Sequence, residues 1–333
     1  MPVSISGTRA TFTAPPGSTG LIGDFTDWLD EPAVPLKTGE SVTLEFPRGA
    51  FIEYAFVGED GKPFADPGNP VESENPWYRY PRAAVLEGYQ PGPHRELLPG
   101  AAGGSLERLA WEGSVFPGTR RALVHVPAGL GDGSHYAVVL VQDGVAYART
   151  GKLGTVLDNL LHLGRVRPAV LVFLEPADRT REYYLNEDHP RFLLEEVLPR
   201  VSEQFPVSED RADRCLWGAS LGGLASLFAA YRHPEEFGLV VTQSGAFQAE
   251  PGPPRRKGAA EWLTSEIAAS PKLDLRLSLE SGTVEWLLGA NRRMAAALFD
   301  RGYTHRYAER PSGHNWVTWR DGLSDSLEFV LGT

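Results

Sequence analysis

The sequence predicts an α/β fold, with a doubly wound and mainly parallel sheet, preceded by a smaller all-β sandwich. Residues 107–333 alternate short apolar runs with helical patterns, which is typical of parallel strands covered by helices. Residues 1–98 alternate apolar and polar side chains between Gly, Pro and Asp turns, which favours short strands of a sandwich. A linker rich in Pro and Gly, residues 99–106, separates the two predicted domains.

The composition is that of an ordinary soluble protein with two domains. The chain has 333 residues, of which 42% are hydrophobic and 23% charged. A net charge of −11 argues against a nucleic-acid partner. The N-terminus lacks a basic segment followed by an apolar one, and no run of about 18 apolar residues occurs. We therefore expect a cytoplasmic protein that is not bound to a membrane.

Cysteine and ligand patterns exclude other classes of protein. The single cysteine, Cys215, cannot form an internal disulfide and is expected to be a buried structural thiol. The sequence contains no metal-ligand spacing and no phosphate-binding glycine loop. We therefore expect neither a metal nor a cofactor.

A serine lies between glycines in the segment Gly218-Ala219-Ser220-Leu221-Gly222. Residues 214–217 before it form a predicted buried strand, and residues 224–231 after it form a predicted helix. Side chains in so tight a turn would collide with the neighbouring strand, which explains the flanking glycines. This order predicts an α/β-hydrolase elbow with Ser220 as the nucleophile.

A histidine follows where a general base is expected. His314 lies in a glycine-containing loop between a predicted last strand, residues 304–308, and a predicted C-terminal helix, residues 319–331. In α/β-hydrolases the histidine comes last along the chain, after the serine and the acid. We favour His314 as the base over a loop histidine held by a backbone carbonyl.

Two carboxylates are candidates for the acid that orients this imidazole. Glu280 ends a predicted strand that begins at Leu273, and Glu285 lies beyond the next glycine, where a helix is predicted through Trp286. Because the acid must hold the imidazole tautomer, its reach into the histidine loop decides the choice. We favour Glu285, although the first turn of a helix suits a carboxylate without any catalysis.

Two backbone N–H groups are expected to form an oxyanion hole. One belongs to Leu221, directly after the nucleophile. The other should come from Gly144 or Val145, in the turn after the predicted strand at residues 138–142, unless that turn is an ordinary one.

Substrate contacts are predicted from a basic loop and from aromatic residues. Arg255 and Arg256 follow the predicted strand at residues 239–242, so they should lie near the carboxyl edge of the sheet and suit an anionic ester, unless the loop is simply solvated. Three aromatic residues are candidates to line an acyl or aryl pocket: Tyr147, Phe247 and Trp316. Core packing would explain these three equally well.

From about residue 107 to residue 332 the chain resembles the esterase D and enterochelin esterase group of α/β-hydrolases. The resemblance rests on residues 218–223, 243–247, 282–285 and 313–316. It implies that Ser220 is the nucleophile, His314 the base and Glu285 the acid. Many members of the group have Asp at the acid position, so Glu285 departs from the pattern.

The first domain resembles the early-set immunoglobulin-like domain of the glycogen-binding module family and of enterochelin esterases. The resemblance rests on residues 21–28, 51–57 and 64–70. In carbohydrate-binding relatives an exposed tryptophan stacks on sugar, whereas packing is the favoured explanation of Trp28. The resemblance implies an immunoglobulin-like domain that shapes the mouth of the active site.

Three functions stay open on the sequence alone. The leading one is a serine esterase that cleaves a small-molecule carboxylic ester through an acyl-enzyme, the substrate being a siderophore, an aryl ester or a short-chain ester. The second is an acyltransferase that uses an alcohol or sugar acceptor. The third is a glycan-binding protein whose hydrolase domain is inert. Formation of a homodimer is left open.

Overall fold

The computed structural model describes residues 3–28, 33–131, 135–254 and 260–333. The chain divides into two compact units, and each of them is assembled from three segments. The first unit comprises Met1–Pro91, Ser281–Leu288 and Glu309–Asp321. The second comprises Gly92–Glu280, Gly289–Ala308 and Gly322–Thr333.

The N-terminal segment of the first unit is built from short strands. Strands β1 to β8 are, in order, Ser4–Ser6, Arg9–Thr13, Ser18–Gly23, Val34–Pro35, Ser41–Glu45, Phe51–Gly58, Pro63–Phe64 and Arg82–Val85. One antiparallel sheet has the order β1-β2-β5. In the other, β6 pairs antiparallel with β3, β7 and β8, and β3 pairs with β4. A 3₁₀ turn, Asp24–Thr26, follows β3.

Both sheets contribute to one hydrophobic core. Strand β2 buries Ala10 and Phe12, and its other residues are less buried. Strand β6 buries Tyr54 and Phe56. The Phe12 and Tyr54 rings meet edge to face, with centroids 4.7 Å apart. Alternation of apolar and polar residues therefore builds this core from short strands. The immunoglobulin-like character of the domain stays a prediction.

The second unit contains most of the remaining strands and helices, whereas the last residues of β15 and β16, and the helix Trp316–Asp321, belong to the first unit. Strands β9 to β16 are, in order, Ser105–Gly113, Gly118–Val126, Ala137–Val141, Ala169–Leu174, Arg214–Ala219, Leu239–Gln243, Arg276–Val284 and Thr304–Gly313. Helices α1 to α10 are Gly144–Ala146, Leu153–His162, Arg179–Tyr183, Asp188–Phe192, Leu198–Ser202, Leu221–Arg232, Trp262–Ala269, Leu288–Asp300, Trp316–Asp321 and Leu323–Leu331. π-helical turns at Tyr147–Gly151 and Leu193–Val197 continue α1 and α4, and a 3₁₀ turn, Arg211–Asp213, precedes β13. No helix among the described residues is long and apolar enough to cross a bilayer.

The sheet of the second unit has the order β9-β10-β12-β11-β13-β14-β15-β16. Strands β9, β10 and β12 pair antiparallel, and the pairs from β12 through β11, β13 and β14 to β15 are parallel. Every residue of β11, β12 and β14 is buried, so both faces of the sheet are covered. This mainly parallel sheet confirms the predicted α/β fold.

Several element boundaries differ from the prediction. Strand β15 continues through Gly282 to Val284, because a side chain at Gly282 would overlap the carbonyl of Ser312 and only glycine lets the backbones approach so closely. Helix α8 therefore begins at Leu288, and Glu285 lies before it. The last strand extends to Gly313, and the C-terminal helix is divided at Gly322 into α9 and α10.

The cysteine has the environment expected of a structural thiol. Cys215 is fully buried in β13, and its Sγ lies 3.7 Å from the carbonyl of Leu216. Burial raises the pKa of the thiol, which disfavours the reactive thiolate.

Candidate active site

Ser220 occupies the turn between β13 and α6 in a conformation that residues other than glycine rarely adopt. Its φ is 56° and its ψ is −121°. Such a conformation costs roughly 1–3 kcal/mol and persists only where the surroundings fix it. The Ser220 N–H donates to the carbonyl of Gln243 at 2.8 Å, and its carbonyl accepts from the N–H groups of Leu224 and Ala246 at 3.0 Å each. Neighbouring elements therefore hold the strained serine in place.

The glycines around the serine are required by space. A side chain at Gly218 would overlap the carbonyl of Gly222. A Cβ at Gly223 would lie 3.1 Å from the Gly218 oxygen. The tight strand-to-helix turn that the sequence predicts is present, and its close backbone approaches explain the glycines.

The loop after β11 lies beside this elbow. A Cβ at Gly222 would lie 3.1 Å from the Cβ of Gln142 and 3.2 Å from Oδ2 of Asp143. The predicted oxyanion loop is therefore packed against the first turn of α6. Leu221 begins that helix, so its N–H has no acceptor within the helix.

Gly144 and Val145, the two candidates for the second N–H donor, differ in their surroundings. The Val145 N–H donates to Oε1 of Glu175 at 2.6 Å. Gly144 opens α1, where an N–H has no acceptor within the helix, and a side chain there would overlap the backbone of Phe173. Gly144 is therefore the better placed of the two candidates.

Sequence reasoning missed an ion pair next to the elbow. Nε of Arg179 donates to Oδ1 of Asp143 at 2.9 Å, and Nη2 donates to Oδ2 at 2.8 Å. Nη2 also lies 3.3 Å from the carbonyl of Ala219, directly before Ser220. Burial by itself would lower the pKa of Arg179, but Asp143 raises it overall. A lone arginine at the start of a short helix carries no sequence signal of such a role.

A second missed residue is Gln243, whose carbonyl accepts from the Ser220 N–H and whose side chain connects several buried groups. Its Oε1 accepts from Tyr147 Oη at 2.6 Å and from Trp217 Nε1 at 3.2 Å. Its Nε2 donates to the fully buried carboxylate of Glu280. Glu280, the alternative acid, therefore takes part in a hydrogen-bond network within the second unit.

His314 and Glu285 are paired within the first unit. Nδ1 of His314 lies 3.0 Å from Oε2 of Glu285, whose side chain is fully buried. The rings of Trp286 and Trp319 flank the imidazole, with centroids 4.4 Å and 5.1 Å from it. A carboxylate at Nδ1 favours the tautomer in which Nε2 accepts a proton.

Asp24 supports the loop that carries this histidine. Its Oδ2 accepts from Nδ2 of Asn315 at 2.8 Å. A side chain at Gly313 would overlap the Asp24 carboxylate. The residues on both sides of His314 therefore contact one buried carboxylate.

Burial also changes the titration of this region. It raises the pKa of Asp24 to about 7, and the nearby charge of Glu285 contributes to the rise. Burial likewise raises the pKa of Glu53, with a further contribution from Asp24. The Glu53 N–H donates to Asp24 Oδ2 at 2.8 Å. The charge of Glu285 therefore affects Asp24, and the charge of Asp24 affects Glu53.

The residues predicted to contact substrate are buried or undescribed. Tyr147 and Phe247 are 0% exposed and Trp316 is 1% exposed, so their described contacts are those of packed side chains. Arg255 and Arg256 lie outside the described residues. A role of these five residues in substrate binding stays a prediction.

Known proteins resemble this chain over the second unit and beyond. The Esterase family model matches residues 113–330. An iron(III) enterobactin esterase of Escherichia coli strain CFT073 is 30% identical over 232 residues, which are 66% of this chain and 56% of that protein. The chain thus spans just over half the length of this curated relative.

Solved structures share the fold over nearly the whole chain. The enterobactin esterase of Shigella flexneri, determined in the presence of enterobactin, is 22% identical, has a TM-score of 0.76 and covers 97% of this chain and 92% of its own. The ferric enterobactin esterase of Salmonella typhimurium is 21% identical and has a TM-score of 0.76. The match covers 97% of this chain and 93% of that protein. The fold is that of these enterobactin esterase structures. Because the family match extends over more than half of the sequence, the chain belongs to the Esterase family.

Proposed function

We propose that this chain is a serine esterase that hydrolyses carboxylic esters through an acyl-enzyme. The observation that carries the proposal is the conformation of Ser220, held at a φ of 56° between a strand and a helix N-terminus. A serine kept in a costly conformation at this position is typical of a nucleophile. The family to which the chain belongs supports the same chemistry.

In the proposed mechanism Ser220, His314 and Glu285 act as a triad. Nε2 of His314 takes the proton of Ser220 Oγ while that oxygen bonds to the ester carbonyl carbon, and the same proton then goes to the departing alcohol. Water, activated by His314, breaks the acyl-enzyme bond and restores the serine. The contact of Glu285 with Nδ1 supports Glu285 as the acid.

The proposed oxyanion hole consists of the Leu221 and Gly144 N–H groups. Both open helices, where backbone N–H groups lack intrahelical acceptors. The bond from Val145 to Glu175 favours Gly144 over Val145. Loss of one such donor typically costs roughly 3–4 kcal/mol of transition-state stabilisation.

The proposed substrate is a small-molecule ester of the siderophore type, or a simpler aryl or short-chain ester. The support for a siderophore is the name of the E. coli relative, an iron(III) enterobactin esterase. A cytoplasmic location, predicted from the sequence, is part of the same proposal.

The proposal is tested by combining two substitutions. We expect Ser220→Ala and His314→Ala each to lower ester turnover by roughly 10⁴-fold or more, and the double variant to lose little beyond either one, because triad members act as a unit. Turnover should be measured at equal folded fraction. If the fold-losses of turnover of the two single variants multiply in the double variant, Ser220 and His314 do not act as a unit and the proposal is contradicted.

A further inference from the structure

The N-terminal segment of the first unit contacts the loop that carries His314. Asp24, in the 3₁₀ turn after β3, lies 291 residues before Asn315, which directly follows the histidine. Oδ2 of Asp24 accepts from Nδ2 of Asn315 at 2.8 Å, and both residues are 2% exposed. We propose that Asp24 is a positioning residue that acts through Asn315 to hold His314 in place for catalysis. This inference rests on the proposed esterase function and adds a residue to its site.

Asn315 connects Asp24 to the loop because it uses both ends of its amide. Its Oδ1 accepts from the Thr318 N–H at 3.0 Å, in the first turn of α9. Its Nδ2 donates to Asp24 and also lies 3.3 Å from Oγ of Ser312. A buried amide with partners on both sides is held in one orientation, since any other leaves polar atoms unpaired. The residue after His314 is therefore fixed by a carboxylate of the N-terminal segment.

The residue before the histidine is packed against the same carboxylate. A Cβ at Gly313 would overlap the Asp24 side chain, so only glycine allows the two segments to approach so closely. The Gly313 carbonyl accepts from Oγ1 of Thr318 at 2.6 Å. Asp24 therefore restricts the main chain on both sides of the proposed base.

Strand β6 fixes Asp24 in turn. Oδ2 of Asp24 also accepts from the Glu53 N–H at 2.8 Å. In the same strand, the Phe51 carbonyl accepts from Oγ of Ser312 at 2.5 Å, and these two residues pair in the parallel register of β6 and β16. Phe51 also packs with Val317 of α9 in one apolar cluster. One strand therefore holds both the turn that carries Asp24 and the end of β16.

The imidazole of His314 needs support of two kinds. Glu285, at 3.0 Å from Nδ1, and the rings of Trp286 and Trp319 fix the orientation of the imidazole. These contacts act on the side chain and not on the main chain of the loop. Because a misplacement of about 1 Å can cost roughly 100-fold in rate, the position of the main chain also matters. Asp24 provides this second kind of support.

The first test measures ester turnover by the full chain at equal folded fraction. We expect Asp24→Ala to lower kcat roughly 10- to 100-fold with little change in KM, because substrate still binds while the base is displaced. Asp24→Asn should restore most of the loss, since its amide oxygen can accept from Asn315 and from the Glu53 N–H. The matched control is Asp66→Ala, which removes another buried carboxylate of the first unit and should leave kcat unchanged.

The second test asks whether Asp24 acts through Asn315. Because the two side chains share a hydrogen bond, we expect the double variant Asp24→Ala/Asn315→Ala to lose little kcat beyond the larger of the two single losses. Single losses that multiply in the double variant would overturn the inference. Should Asp24→Ala fail to fold, Asn315→Ala alone gives the readout, and an unchanged kcat there would also overturn it.

The third test separates this inference from the esterase proposal, since it needs no substrate. In the Ser220→Ala protein, Asp24→Ala should shift the NMR resonances of the His314 ring, whereas Asp66→Ala should not. If the wild type hydrolyses no ester while these shifts occur, the esterase proposal fails and the contact with the histidine loop stands. If the wild type hydrolyses esters and Asp24→Ala keeps its kcat, or raises KM alone, the esterase proposal stands and Asp24 is not a positioning residue.

Discussion

At the scale of single residues, the choice between two glutamates depends on what each carboxylate contacts. Glu285 lies 3.0 Å from Nδ1 of His314, whereas Glu280 accepts from the side chain of Gln243. Glu280 lies inside β15 and Glu285 comes directly after that strand, and both side chains are buried, so the sequence could favour one but not decide between them. Their hydrogen-bond partners come from segments far away along the chain, and these contacts support Glu285.

We expect Glu285→Gln to lower ester turnover by roughly 10²- to 10⁴-fold, because the amide no longer stabilises the imidazolium and can favour the wrong tautomer. Glu280→Gln is the matched control and should lower turnover much less. Since Glu280 is buried in a hydrogen-bond network, its variant is compared only after the folded fraction has been measured by thermal melting. Near wild-type turnover in both variants would indicate a Ser220 and His314 dyad without an acid.

At the scale of secondary structure, the strand and the helix on either side of the serine were predicted from the sequence. The strand and helix on either side of Ser220 are present as β13 and α6, because their apolar patterns are strong and the glycines between them have one steric explanation. The loop after β11 was found for a similar reason, since Gly144 follows a fully apolar strand.

Other elements were predicted less well because a glycine can mark a turn or can allow close packing inside a strand or between helices. Gly282 suggested a turn, yet it lies inside β15, where it allows close approach to the Ser312 backbone. Gly322 lies where the predicted C-terminal helix is divided, and a side chain there would overlap the Glu280 carboxylate. Both cases depend on a neighbour that is distant in sequence, which a local pattern does not reveal.

At the scale of the whole molecule, the first unit includes segments that the sequence assigned to the second domain. Ser281–Leu288 and Glu309–Asp321 cluster with Met1–Pro91, and they carry Glu285 and His314. Local patterns place a boundary where composition changes, so they cannot detect such long-range clustering. The domain limits at residues 98 and 107 stay a proposal.

The buried acids of this unit should make stability depend on pH. The pKa of Asp24 is raised from 3.8 to about 7, so between these values the folded protein binds more protons than the unfolded chain. The stabilisation is therefore complete below about pH 4 and is lost as the pH rises through about 7. Because an amide oxygen can still accept from Asn315 and from the Glu53 N–H, Asp24→Asn removes the titration with little change in packing.

We expect the Tm of the wild type to fall more steeply from pH 5 to pH 8 than the Tm of Asp24→Asn. Glu53 and Glu285 are the other acidic groups that face this carboxylate, and both remain in the variant, so the difference between the two curves reports Asp24. Asp66→Asn is a suitable control, because Asp66 is a buried carboxylate of the same unit that accepts from Tyr54. Parallel curves for wild type and Asp24→Asn would contradict a raised pKa.

The central claim, that Ser220 is a nucleophile activated by His314, is tested most directly by covalent labelling. A fluorophosphonate should modify the full chain once, and peptide mass spectrometry should place the adduct on Ser220, since the reagent reacts with serines whose oxygen is activated by a base. The rate of labelling should fall by several orders of magnitude in His314→Ala while the fold is retained. Labelling of a different serine, or labelling of Ser220 at the same rate without His314, would contradict the claim.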